Sequence, residues 1–145
     1  MRLIRWTPPA LMVVVVVVWL PSLAVSISQY DGSYTGTLAC DQIPGHTSGP
    51  LKVAFFLTIN GARAEYERWH VRPPAGLDFT ERGSGTVSST GEVSLMCENC
   101  GVAYQATYRG RVDGKHLHLS GIQVWQFPDK GDYQRPCAIA VSRPE

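Results

Sequence analysis

Cys40, Cys97, Cys100 and Cys137 are the residues of this 145-residue chain whose type and spacing bear most directly on chemistry. Cys97 and Cys100 form the Cys-x-x-Cys of "SLMCENCGV", a spacing shared by thiol–disulfide catalysts, half-sites for zinc and simple covalent clips. Redox catalysts set this motif at a helix N-terminus, where the dipole lowers the first thiol's pKa. Here the flanks alternate like strands and no helical stripe follows. A structural zinc site needs four ligands, and one such pair supplies two. The favoured reading is a disulfide clip between Cys97 and Cys100 on a hairpin tip, with thiol-redox chemistry at these two residues as an alternative.

Other residues carry weaker signals. His116 and His118 in "KHLHLS" share one face of a strand and are the only metal candidates. No carboxylate or third histidine is placed beside them, so the expectation is a polar outward face and no metal or cofactor. Glu65, Glu67 and Glu81 offer carboxylates, but Glu65 and Glu67 alternate with apolar residues and read as solvent-facing. Neither a nucleophile elbow nor a phosphate loop nor a zinc-protease helix motif is present, and the expectation is a non-enzyme. Trp69, Trp125, Tyr66, Tyr104 and Tyr108, with Phe55, are enough to fill a core or to line a ligand cavity.

The elements that position these residues begin with an N-terminus built like a signal peptide. Arg2 and Arg5 precede an apolar run from Ala10 to Leu20, then Pro21 and small residues. The apolar run is short for a membrane-spanning helix, so cleavage is expected rather than a stable membrane anchor, after Ser26 in preference to Ala24. Residues 1–26 are thus read as signal peptide and 27–145 as a single domain, secreted or periplasmic. Once Arg2 and Arg5 are removed, 11 basic residues face 12 acidic ones. That scattered, near-neutral balance gives no basis for binding nucleic acid or anionic membrane.

Beyond residue 27 the chain alternates with period two and is punctuated by glycine, which predicts an all-β fold. About eight strands are expected, in a small antiparallel up-and-down barrel or sandwich. "LKVAFFLTIN" puts Val53, Phe55, Leu57 and Ile59 on one face, and "RAEYERW" places Ala64 and Tyr66 together. Asn60-Gly61 and Asp113-Gly114 are strong hairpin signals. Gly36, Gly85, Gly110 and Gly121 lie inside strands and suit the bends by which a small barrel closes. "YDGSYTG" and "YQATYRG" echo each other, explained by a shared need for a core aromatic and a glycine bend. Residues 41–50, 70–78 and 127–136 read as long loops, the other candidate binding surface.

An even cysteine count in an exported chain predicts disulfides, and four cysteines allow three pairings. If the sheet closes with its first and last strands as antiparallel neighbours, Cys40 lies beside Cys137 and Cys97 is left with Cys100. "YDGSYTGTLAC", "ERGSGTVSSTGEVSL", "YRGRVDGKHLHLSGIQVW" and "RPCAIAV" together resemble a group of small exported bacterial β-rich proteins of uncharacterised function. The resemblance covers most of the chain after the signal peptide, and its first and last cysteines match Cys40 and Cys137, while "CENC" departs from its pattern. It implies fold and location and brings no activity. The expected function is a binding or interaction module for a small molecule or an exported protein. The alternatives are a small-ligand carrier with an aromatic-lined barrel cavity and an inhibitor of an exported hydrolase.

Overall fold

A computed structural model describes residues 29–45, 49–72, 77–98, 100, 104–127 and 131–145. The expected signal peptide lies outside the described residues. Eight strands follow one another around a closed barrel: β1 (Gly32–Cys40), β2 (Leu51–Asn60), β3 (Arg63–Arg72), β4 (Leu77–Val87), β5 (Glu92–Cys97), β6 (Tyr104–Asp113), β7 (His116–Phe127) and β8 (Gly131–Ser142). Each pairs antiparallel with its neighbour in sequence, and β1 closes on β8 from Thr35↔Ser142 to Cys40↔Cys137. Of the two architectures expected, the barrel is the one formed.

Alternation decides what fills it. In β2, Phe55, Leu57 and Ile59 are buried and the residues between them exposed; in β6, Tyr104, Ala106, Tyr108 and Val112 point inward. Closure at so small a radius needs backbones to approach where strands bend. At Gly36, Gly85, Gly110 and Gly121 an added Cβ would strike a carbonyl oxygen of the adjacent strand, that of Ala140, Ser94, His118 and Thr107 respectively. Tyr34 and Tyr108, two residues before Gly36 and Gly110, are fully buried, which accounts for the sequence echo.

Two of the hairpins have the two-residue turns that Asn-Gly and Asp-Gly imply, each shifted one residue along the chain. Asn60 pairs with Arg63 and Asp113 with His116, so the two-residue turns are Gly61-Ala62 and Gly114-Lys115. Gly61 has φ +60° and Gly114 φ +59°, while no non-glycine residue described has positive φ. Glycine first with a normal residue second is the II′ arrangement rather than I′.

Two loop assignments need correction. β3 runs to Arg72 and β4 starts at Leu77, which leaves 73–76 as the connection rather than 70–78. β7 runs to Phe127 and β8 starts at Gly131, so most of 127–136 is strand. Pro136, the residue that argued most against a strand there, sits where its missing N–H does no harm. Its carbonyl accepts from Asp41 N at 3.1 Å, so both of its backbone groups face the β1 side, just past the end of that ladder.

The up-and-down order separates two kinds of connection. The tight turns β2–β3, β4–β5 and β6–β7 lie at one end, and the longer connections, including 41–50 and 98–103, leave from the other. The turn end is closed by local hydrogen bonds. Tyr34 donates its hydroxyl to Tyr30 O at 2.8 Å, Gly61 N donates to Asp31 Oδ1 at 2.7 Å, and Arg143 Nη1 donates to Asp31 O at 2.8 Å.

Candidate functional site: a charged network at the long-loop end

Among the described residues, several inward positions toward the long connections are charged or polar. Parity in β3 puts Arg68 on the same face as Ala64 and Tyr66, and parity in β8 puts Arg135 with Cys137, Ile139 and Val141. Glu81 in β4 and Gln123 in β7 point inward for the same reason. All four are buried, Glu81 and Gln123 with no exposed surface at all.

Glu81 is the hub. One carboxylate oxygen, Oε1, accepts from Tyr66 Oη at 2.8 Å and from Tyr108 Oη at 3.3 Å. The other, Oε2, accepts from Arg68 Nε in a buried ion pair and from Tyr104 Oη. Arg68 Nη2 also donates to Tyr104 Oη at 2.9 Å. Gln123 extends the network, its Nε2 donating to Tyr104 Oη at 3.2 Å and Tyr108 Oη at 3.0 Å, and its Oε1 accepting from Arg135 Nε at 2.7 Å.

Aromatic rings wall the network. Phe55 stacks on Tyr66 at 5.0 Å between centroids, and Tyr108 meets both of these rings edge-on. Tyr104 stacks on Trp125 at 4.6 Å. The guanidinium of Arg68 lies 5.8 Å from the Tyr104 ring and that of Arg135 lies 5.6 Å from the Trp125 ring, both within cation–π range.

Electrostatics fixes the protonation states of the phenols. Burial, reinforced by the adjacent Glu81 charge, pushes the Tyr66 hydroxyl far above its ordinary value. Tyr108 is raised by the same two causes, partly offset by its hydrogen bond from Gln123 and by Arg68. Both phenols therefore remain donors at any physiological pH. Arg135 is pushed down, first by burial and then by the positive charge of Arg68.

The two cysteine pairs have separate roles in this frame. Cys40–Cys137 joins directly opposed residues across the β1–β8 seam and spans 97 residues of sequence. Cys97–Cys100 joins the end of β5 to the connection that follows it. The sulfur atoms of Cys97 and Cys100 and the Glu81 carboxylate all lie within 4.8 Å of one another, so this clip packs against the hub of the network. The three do not form a ready metal site: both sulfurs are held in the disulfide and Glu81 is occupied by four donors.

Of the aromatic candidates read from sequence, Tyr66, Tyr104, Tyr108 and Trp125 come together at this one end. The Trp69 side chain lies outside the described residues. His116 and His118 are both exposed on the outer wall near the turn end, opposite Asp113 and Arg111 of β6, on the other face of β7 from the network residue Gln123. Glu65 and Glu67 face outward, while Glu81 is separated from them by the barrel wall. Sequence reasoning missed Arg68, Gln123 and Arg135, and named Glu81 only as one of three carboxylates without placing it inside the barrel. The signal that reveals them is parity: each lies two residues from a glycine, aromatic or cysteine that the structure turns inward, Tyr66, Gly83, Gly121 or Trp125, and Cys137.

A surface depression of about 360 Å³ on the outer wall beside the site is lined in part by Phe56, Glu65, Glu67, Arg82 and Glu98. The described interior positions, by contrast, are packed side chain against side chain, which counts against a wide ligand cavity. No protein-family model and no curated protein matches the chain.

Proposed function

We propose that the protein is a non-catalytic binding module, secreted or periplasmic, that engages its ligand at the long-loop end of the barrel. The observation that carries this reading is the position of the buried charges. Replacing a buried ion network by apolar residues of similar volume is commonly neutral or stabilising, so such a network is weak evidence for stability and better evidence for a function. Among the described residues the rest of the barrel interior is apolar or tyrosine, and the buried charges lie toward the end from which the longer connections leave.

The chemistry of the network favours binding over catalysis. A general acid or base works best with a pKa near the operating pH. The Tyr66 and Tyr108 phenols are displaced away from neutrality, and the Glu81 carboxylate is saturated by hydrogen bonds. Two disulfides are compatible with an oxidising compartment, which supports export.

Capture from periplasmic extract, with native mass spectrometry for a retained small molecule and cross-link mapping of any partner, tests this. The footprint is expected on the β1–β2, β5–β6 and β7–β8 connections. A footprint on the Gly61-Ala62 and Gly114-Lys115 turns, or turnover of a substrate that depends on Glu81, would overturn the reading.

A further inference from the structure

The network holds more positive charge than it neutralises. Among the described buried residues there are two guanidiniums, Arg68 and Arg135, and one carboxylate, Glu81. Glu81 takes its ion pair from Arg68, while Arg135 hydrogen-bonds the neutral Gln123 and feels the Glu81 charge only through space. A buried cation without a counter-ion is costly, and such charges are normally paired.

Arg135 is also short of hydrogen bonds. A guanidinium carries five N–H donors in a planar fork. Nε is the only donor of Arg135 with a hydrogen-bond partner among the described residues, and the terminal amino groups of this largely buried side chain reach solvent. Gln123 fixes that Nε, and Trp125 flanks the guanidinium plane. This leaves the two terminal amino groups, the edge that forms bidentate pairs with carboxylates, uncommitted.

The fork also lies where a ligand arrives. Arg135 is the inward residue of β8 next above the Cys40–Cys137 seam, toward the long-loop end, and Trp125 and Tyr133, paired across β7 and β8 one step further out, are half-buried. A small anion entering there meets a preoriented fork beside the indole, whose ring already carries Tyr104 and the Arg135 guanidinium and offers the ligand its edge. Among the described residues the charge excess is one, which a monoanion balances.

From this geometry we infer that the long-loop end holds a site for a small organic monocarboxylate, with the carboxylate on the terminal amino groups of Arg135 and the body of the ligand against Trp125. The inference rests on the binding-module reading and names its ligand class. Arg68 contributes charge from across the Tyr104–Trp125 stack, while its own donors stay on Glu81 and Tyr104.

The test is titration of the purified, disulfide-intact protein with benzoate and with benzamide, its uncharged isostere, at constant ionic strength, read by calorimetry and by the Arg135 Nε–H and Trp125 indole N–H resonances. Saturable shifts with benzoate and none with benzamide are expected. Arg135→Gln should weaken benzoate at least about tenfold, as removal of a charged hydrogen-bonding partner does. Arg135→Lys, which keeps the charge and loses the fork, should fall between, and Arg109→Gln on the exposed wall should bind as the parent does. A folded Arg135→Lys protein keeps the test decisive if Arg135→Gln fails to fold.

Equal response to benzoate and benzamide, or benzoate binding unchanged in Arg135→Lys, would overturn the assignment. A neutral molecule retained at the long-loop end in the extract experiment would overturn the anion class and leave the binding-module reading standing. Failure of benzoate together with capture of nothing at that end would remove both.

Discussion

Cys40 and Cys137 stand directly opposite each other where the first strand meets the last, so the disulfide between them covalently locks the one seam that joins the two ends of the sheet. In the chain-entropy account a bridge over 97 residues contributes about 4–5 kcal/mol, while the three-residue separation of Cys97–Cys100 gives about 2 kcal/mol. Paired alanine substitution at Cys40 and Cys137 is therefore expected to lower the urea midpoint about twice as far as the same change at Cys97 and Cys100. Equilibrium unfolding of the three proteins checks this.

Glu81→Gln keeps the shape of the side chain and removes its charge. Arg68 then remains buried without its ion-pair partner, and the expected loss is about 3–5 kcal/mol. Adding Arg68→Met to Glu81→Gln should recover part of that loss, because no uncompensated partner is left. Losses in the double variant equal to the sum of the two single variants would show that the pair is not coupled.

Alkaline pH should unfold the protein through its buried phenols. Tyr66 and Tyr108 titrate far above the unfolded value in the folded state, chiefly because they are buried. The unfolded chain therefore releases these protons first. Their contribution is fully present below about pH 10 and is lost as the pH rises beyond it, at about 1.4 kcal/mol per pH unit for each group. Urea midpoints that fall steeply above about pH 10, less steeply in Tyr66→Phe and Tyr108→Phe, are the expected result; tyrosinate absorbance from the folded barrel that either substitution removes would contradict it.

Gly83 is a steric gap reserved for Tyr66. A Cβ at this position would strike the Tyr66 ring and the Met96 carbonyl oxygen. Gly83→Ala is expected to cost about 1–3 kcal/mol, an overpacking penalty. Tyr66→Phe in the same background should not relieve it, because the clash is with the ring and the backbone rather than the hydroxyl.

Much of this fold was legible in the sequence. Period-two alternation placed Phe55, Leu57, Ile59 and Tyr108 inside, and closure of the sheet brought Cys40 to Cys137. The network was harder to see because charge is usually a marker of the outer wall. Arg68 follows Tyr66 at the inward spacing, yet in "YERWH" it reads as one more solvated charge among Glu65, Glu67 and Arg72. Only the partner on β4 explains why it is buried, and Glu81 is thirteen residues away across a proline-rich connection. Arg135 was obscured for a different reason: glycine and two prolines nearby mark a loop, whereas the end of β1 leaves Pro136 room to continue a strand.

The pairing order has a kinetic meaning. Every strand pair but one joins neighbours in sequence and can zip by successive hairpins, whereas β1–β8 must wait for the two ends of the chain to meet. Until they do, the intermediate is an open ribbon with two unpaired edges, the kind of surface that templates aggregation. With the Cys40–Cys137 bridge in place that search is already restricted, so an oxidised chain refolds from a loop and a reduced one from a free coil. The bridge acts on the traffic between monomer and aggregate as well as on the depth of the native well.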